Sequence, residues 1–427
     1  MNDTWTQRPL GELFEIGAGK TMSAAARAGQ NKVPFLRTSN VFWDRLDFSA
    51  VDEMSIRPNE LPDKLLEAGD LLVCEGGEIG RAAIWDGSIA PMSFQNHLHR
   101  LRPKVHDVDP RFYVYFLQAA FTQLGIFEGA GNKTTIPNLS SRRLAALEVP
   151  HPPLSEQSAI VDALALIREA LKIQEDSLAA ADSLRTSTML SVYSKGLNGE
   201  STKLSQLGDI PESWSVIEFS QLRESLRYGT SQRCSATPAT YPVLRIPNIL
   251  SARIDAADLK YCDLTDKEAA RYGLEDGDLI FIRTNGVIER LGLCAVYRGN
   301  PDKALYASYL IRARLLDGVD PDFVAYFMGS PVGIDQIGSR ATPAADGKFN
   351  LNTGIIDSLL VPLPQLREQQ EIAAVLRTID QKLDLHRTKL VRLNELYQRM
   401  LYDLMTGAVL IDELAVPTRA SAGGSAA

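Results

Sequence analysis

The feature that most constrains this chain of 427 residues is that its order of motifs is written twice. Phe35–Val41 reads Phe-Leu-Arg-Thr-Ser-Asn-Val. Val243–Ile249, 208 residues on, reads Val-Leu-Arg-Ile-Pro-Asn-Ile. Glu67-Ala68-Gly69-Asp70 is answered at the same offset by Glu275-Asp276-Gly277-Asp278. After a four-residue insertion the offset becomes 212. His97–Arg102 then matches Tyr309–Arg314, and Val149–Gln157 matches Val361–Gln369. Asp109–Phe116 matches Asp320–Phe327 one residue short of that offset. A period near 210 residues is a tandem duplication of whole domains, not a solenoid of short repeats.

Each copy divides the same way. About 150 residues mix short β-type runs with turn signals and one helical patch. The runs are Asp70–Cys74 and Ala82–Trp85 in the first copy, Asp278–Ile282 and Leu293–Tyr297 in the second. The patches are Arg111–Phe121 and Pro321–Met328. A proline-rich connector ends this part, because proline breaks both helix and ladder. Long helices are predicted over Leu154–Lys195 and Leu366–Thr406. In the second, Ile372, Leu376, Ile379, Leu383, His386, Leu390, Leu393, Tyr397, Met400 and Leu404 alternate by four and three, the heptad of a coiled coil. In the first, Ile160, Leu164, Ile167, Leu171, Gln174, Leu178 and Ala181 hold the equivalent places, and the seam is expected to decay beyond them. A seam ~60 Å long needs a partner, and the other copy is the nearest one.

The expected fold is therefore α+β: two β-rich domains in tandem, each followed by a long helix, the helices pairing antiparallel about a pseudo-two-fold axis. The divisions fall at 1–153, 154–200, 201–365, 366–414 and a disordered tail over 415–427. A midpoint near Asp176 and Thr388 sets Leu171 near Leu393, Gln174 near Leu390 and Leu178 near His386.

Composition narrows the class. Hydrophobic residues make up 45% and charged residues 23%, which excludes a mostly disordered chain. No apolar run approaches 18 residues, so no membrane span is expected. The first residues lack a basic patch followed by an apolar stretch, so no secretory signal is expected. Cys74, Cys234, Cys262 and Cys294 are scattered without CxxC spacing, which suggests buried free thiols in a reducing, cytoplasmic setting.

Catalytic signatures are missing. Gly17-Ala18-Gly19-Lys20-Thr21 resembles the end of a P-loop, but Phe14 stands where the first glycine belongs. The stretch reads as a flexible polar loop. His97 and His99 alternate along a strand without a third ligand, and their counterparts are Tyr309 and Ile311, so no metal is expected. Asp70 and Asp278 read as turn residues. Glu156 and Glu368 read as acids complementing a helix N-terminus. There is no nucleophile elbow, no HExxH and no Asn/Asp-Pro-Pro-Tyr/Phe tetrapeptide of an amino-methyltransferase. No cofactor is expected.

What recurs instead is polar and lies by strands and turns. Arg37 and Asn40 are answered by Arg245 and Asn248, residue types suited to bidentate contacts with guanine and adenine. Further candidates for DNA contact in turn-rich loops are Lys20, Arg81, Lys133, Arg233, Arg283, Asn285, Lys348 and Asn350. The net charge of −8 opposes a simple basic patch. Residues 1–150 carry 16 basic and 18 acidic side chains, and residues 209–360 carry 16 and 20. Positive charge would have to be sorted onto one face, or supplied by a partner.

The duplicated order of Val149–Gln157 and Val361–Gln369, of Arg37/Asn40 and Arg245/Asn248, and of Gly69-Asp70 and Gly277-Asp278 resembles the specificity subunits of type I restriction–modification systems. Trp5 and Ile210–Trp214 resemble the starts of the two recognition domains. The resemblance covers residues 5–414. It implies that each β-rich domain is a target-recognition domain reading one half of a split double-stranded DNA sequence. It implies that the paired helices act as a ruler fixing the spacer. It also implies that two DNA adenine methyltransferase subunits dock on the helical regions and that translocase–nuclease subunits join for restriction. The specificity subunit itself has no chemistry. The alternatives are a tandem scaffold that binds a partner through its helical seam without DNA, and an enzyme built on the Gly17–Thr21 loop.

Overall fold

The structure, a computed structural model, describes residues 5–126, 139–250, 252–344 and 346–411. It divides into two units: Met1–Gln174 with Lys389–Ala427, and Glu175–Thr388. The boundary runs through the two long helices, Leu154–Lys195 and Leu366–Thr406. Each unit therefore combines one β-rich domain, the N-terminal part of that domain's own helix and the C-terminal part of the other helix. The expected α+β plan is the observed one. Among the described residues no helix is long and apolar enough to cross a membrane.

In the first unit a four-stranded sheet has the order Phe14–Ala18, Leu98–Pro103, Leu71–Cys74, Ala82–Ile84, with every neighbouring pair antiparallel. A three-stranded sheet sets Lys32–Leu36 between Asp52–Ser55 and Ser93–Phe94. The second unit repeats both. Arg223–Tyr228, Leu310–Leu315, Leu279–Ile282 and Cys294–Val296 form the four-stranded sheet. Tyr241–Leu244 lies between Lys260–Cys262 and Leu305–Tyr306. The four-residue insertion falls in the hairpin between Leu279–Ile282 and Cys294–Val296. There Thr284–Asn285 pairs with Phe349–Asn350 in a further sheet of the second unit. The helical patches are Pro110–Thr122 and Pro321–Met328, started by Asp109 and Asp320 as N-caps, whose side chains accept from Arg111 and Phe323 amides. Their apolar faces fill the core against sheet and long helix in each unit.

Residues identical in the two copies prove to be joints. Trp5 Nε1 donates to Glu156 at 3.1 Å, and Trp214 Nε1 donates to Glu368 at 3.1 Å. The glutamates of the proline-rich connectors are thus tied to specific partners, beyond any dipole effect. The next residues do the same for the helical patches. Gln157 accepts from the Asp109 amide at 2.8 Å and donates to Asp107 and Pro152 carbonyls. Gln369 accepts from the Asp320 amide at 2.8 Å and donates to Gly318 and Pro364 carbonyls. Asp70 and Asp278 close turns, accepting from the amides of Glu67 and Glu275, and each also forms a bidentate pair with a strand arginine, Arg102 and Arg314. Both carboxylates are buried, so removing either arginine would strand a charge in the interior.

The helices run antiparallel within each unit. In the first, Arg168 reaches Tyr397, with Nη1 to Oη at 3.5 Å. In the second, Arg185 pairs with Asp380 at 2.6 Å. Pairing Leu171 with Leu393 would put Arg168 opposite Leu396, so the observed register differs from the expected one by one residue. Ile160, Leu164, Gln174, Ile372, Leu376, Leu383 and Tyr397 are buried, and Ile167, Leu171, Leu178, Ile379, His386, Leu390 and Leu393 are half-buried. The first seam does not decay after Ala181. It takes a polar step at Arg185 and resumes through Met189 and Val192, which enter the core of the second unit.

Candidate nucleic-acid interface

The strand directions of each four-stranded sheet bring three loops to one end. In the first unit the ends of Phe14–Ala18 and Leu71–Cys74 meet the start of Leu98–Pro103. Backbone bonds lock them together. The Lys20 amide donates to Phe94 O at 2.8 Å and Asn96 to Lys20 O at 3.0 Å. Glu75 donates to His97 O at 2.9 Å and Leu139 to Glu75 O at 2.9 Å. The second unit has the same four bonds: Thr230 to Tyr306 O and Ser308 to Thr230 O at 2.8 Å, Arg283 to Tyr309 O at 3.0 Å, and Leu351 to Arg283 O at 2.8 Å.

A glycine makes this closure possible in both. A Cβ on Gly19 would stand 2.3 Å from the carbonyl oxygens of Phe94 and Gln95, and one on Gly229 would stand 2.3 Å from those of Tyr306 and Ala307. The Gly17–Thr21 segment is therefore not the flexible loop expected. It is strand to Ala18, bridged at Lys20, and followed by a short helix, Ala24–Ala28, capped by Ser23. Lys20 itself is held by Glu60 at 2.5 Å. That pairing holds the Glu60 carboxyl below its usual range.

On this shared frame the side chains differ. Glu75 stands in the first unit where Arg283 stands in the second, and His97 where Tyr309 stands. In the second unit Arg283 lies over the Tyr228 ring, 4.8 Å from its centroid, and donates to Ser308 O at 3.2 Å. Tyr309 is 60% exposed. Thr284 and Asn285 pair with Asn350 and Phe349, so Asn285 and Asn350, with Arg283 and Lys348 next to them in the chain, are brought to one small sheet. Lys348 is exposed and paired with Asp346 at 2.7 Å, which raises its pKa. Arg233 is exposed three residues beyond Thr230. In the first unit His97 faces Glu75 at 3.6 Å. Arg81 pairs with Glu78 and lies over the Phe42 ring. Lys133 lies outside the described residues, as does the tail over 415–427.

Asn40 and Asn248 require a correction. Both are buried. Asn40 Oδ1 accepts from the Arg37 amide at 2.8 Å, and Nδ2 donates to the Asp47 and Ala50 carbonyls at 2.9 and 2.8 Å. Asn248 repeats this with the Arg245 amide and the Asp255 and Asp258 carbonyls. Both amide protons close a loop in each copy, which leaves none for a base edge. Arg37 faces Asp52 at 3.2 Å and Arg245 pairs with Asp258 at 2.8 Å, so these guanidiniums are tied to the same loops. His99 is buried too, with Nε2 against Leu139 O at 2.7 Å. Sequence reasoning did not single out Tyr228 and Tyr309, which the structure places beside Arg283. Their signal was a pair of tyrosines beside turns in one copy only.

A family model described as the type I restriction modification DNA specificity domain matches residues 2–180 and 340–395, together more than half of the chain. Over 290 residues the chain is 27% identical to the type I restriction enzyme EcoKI specificity subunit of Escherichia coli K12, covering 64% of this chain and 60% of that protein. Over 212 residues it is 28% identical to the putative type I restriction enzyme MjaX specificity subunit of Methanocaldococcus jannaschii, covering 49% of each. The chain thus spans about half to three-fifths of these two curated relatives. Among solved structures it is similar to the type I restriction–modification S subunit of M. genitalium, with a TM-score of 0.55 at 17% identity over 95% of this chain and 97% of that one.

Proposed function

Because the chain belongs to the family of type I restriction–modification DNA specificity domains, we propose that it is the subunit that reads a bipartite DNA target, one half-site per β-rich domain. The carrying observation is the loop cluster: identical backbone bonds in the two units hold Glu75 and His97 in one, Arg283 and Tyr309 in the other. Two readers of different half-sites need one frame with different side chains, since base edges are told apart by their donor and acceptor patterns. In the second domain Arg283, Asn285 and Asn350 are the base-reading groups, with Tyr228 and Tyr309 as flat apolar contacts. Arg233 and Lys348 supply phosphate contacts.

The positions that would carry methyltransferase subunits are repeated as well. Ile173 and Leu385, 212 residues apart, are 59% and 54% exposed. Leu184 and Leu396 are exposed at the same offset, and so are Leu190 and Tyr402. Large apolar side chains kept in water at equivalent places on both helices fit two copies of one partner. Those partners supply the remaining phosphate contacts, which answers the acidic balance, and all of the methyl-transfer chemistry.

The test is retention of the chain with its methyltransferase on duplex DNA. The logarithm of affinity should fall linearly and steeply with the logarithm of salt, and mapped adenine methylation should show two half-sites. Replacing residues 5–150 with the corresponding domain of another family member should change one half-site alone. The chain by itself should transfer no methyl group from S-adenosylmethionine. Retention indifferent to salt, or a hybrid in which both half-sites change, would reject the reading.

A further inference from the structure

The two β-rich domains sit on their helices through equivalent positions whose charges are inverted. The equivalence rests on backbone geometry. Asp44 and Ala252 both have positive φ, 51° and 62°, and their amides donate to Ala82 O and Cys294 O at 2.8 Å. In the first unit this corner is acidic and the helix basic. Asp44 accepts from Tyr115 Oη at 2.8 Å and pairs with Arg168 at 3.3 Å, and Arg168 also donates to Trp43 O at 2.7 Å. Lys172 stands one turn further along that helix. In the second unit the corner is basic and the helix acidic. Arg253, next to Ala252, pairs with Asp384, which takes the place of Lys172, and Asp380 takes the place of Arg168.

A second contact is inverted in the opposite sense. Arg111, the second residue of Pro110–Thr122, is held by Asp109 and lies in the field of Asp162 on the helix. Its equivalent, Asp322, is buried between two arginines: Arg298 of its own domain at 2.7 Å, and Arg377 on the second helix, where the first helix has Ala165.

We infer that the two domain–helix junctions are keyed by opposite charge, so that each recognition domain seats only on its own helix. Placed before the second helix, the first domain would set Asp44 against Asp380 and Arg111 against Arg377. Placed before the first helix, the second domain would set Arg253 against Arg168 and Lys172, and would leave Asp322 beside Asp162 with Arg298 of its own domain as its one remaining arginine. Each exchange adds a like charge to a joint whose existing pairs, Arg185–Asp380, Asp109–Arg111 and Arg298–Asp322, stay in place, and like charges added across a partly buried joint disfavour the wrong partner. Recombination between the two halves of the sequence would then give chains that assemble poorly. This goes beyond the proposed reading of DNA and is tested by stability alone.

The experiment uses the full chain with residues 214–362 replaced by a copy of residues 5–150. Its thermal midpoint should fall by on the order of 5 °C relative to the parent. Adding Arg185→Tyr, Arg377→Ala, Asp380→Arg and Asp384→Lys gives the second joint the charges and the facing residue of the first, and should recover most of that loss. If the copy does not fold at all, the same four substitutions should restore a cooperative transition. A copy that melts with the parent, or one that the four substitutions fail to rescue, would overturn the key.

Discussion

Asn40 and Asn248 close their loops with all three polar contacts of the side-chain amide. Alanine at either place removes three hydrogen bonds that close the loop, at a cost of about 1–3 kcal/mol. The expected result is a lower denaturation midpoint for Asn40→Ala and Asn248→Ala, with half-site preference unchanged in the protein that folds. Arg283 gives a different pattern. It stands on a rigid backbone step with its guanidinium over Tyr228. Arg283→Ala gives up the Tyr228 and Ser308 contacts, so it should lower the unfolding free energy by about 1 kcal/mol and also weaken or relax one half-site by about 1–3 kcal/mol. Competition binding with DNA altered in each half-site in turn reads this directly. Equal loss at both half-sites would remove Arg283 from base reading.

At the scale of elements, the connector between domain and helix is a latch, and its two copies are not equally loaded. Glu156 accepts from Trp5 Nε1. Glu368 accepts from Trp214 Nε1 and, on its other oxygen, from the Leu197 amide at 3.1 Å, just after the first helix. Gly196 makes room for that contact, since its φ is 63° and a Cβ there would stand 2.8 Å from Glu368 Oε1. Hydrogen bonds to a carboxylate contribute about 1.5–3 kcal/mol each. Glu368→Ala should therefore destabilise the chain more than Glu156→Ala does, by roughly one such bond. Urea unfolding of the two variants compares them, and equal midpoints would show that the Leu197 contact contributes nothing. The two helices themselves are legible in the periodicity of the chain. A 4–3 alternation of apolar residues has one solution, and both helices run over the expected residues, Leu154–Lys195 and Leu366–Thr406. The continuation of the first seam is not legible, because an arginine at a seam position reads as its end until Asp380 is known to face it.

At the scale of the whole molecule, on the proposed reading, a pair of antiparallel helices would make spacer length a property of helix length. Four residues added at equivalent positions of both helices, about one turn, should lengthen the preferred spacer and leave both half-site sequences as they were. Methylation mapping on targets of varied spacing measures this, and an unchanged spacer would reject the ruler. Order and periodicity are local properties of a chain, and the duplication, the α+β class, the helices and their antiparallel sense all follow from them. Asn40 and Asn248 also pointed to themselves as readers of DNA, but their side-chain amides are taken up by their own loops. A residue that recurs in both copies of a duplicated fold is held by what the copies share: a loop to close at Asn40 and Asn248, a carbonyl to approach at Gly19 and Gly229, an indole to anchor at Glu156 and Glu368. What distinguishes two readers must differ between them. Where those differences stand is set by contacts between residues far apart in the chain, because Glu75 and Arg283 become equivalent only through the bonds that carry them to the same end of the same sheet.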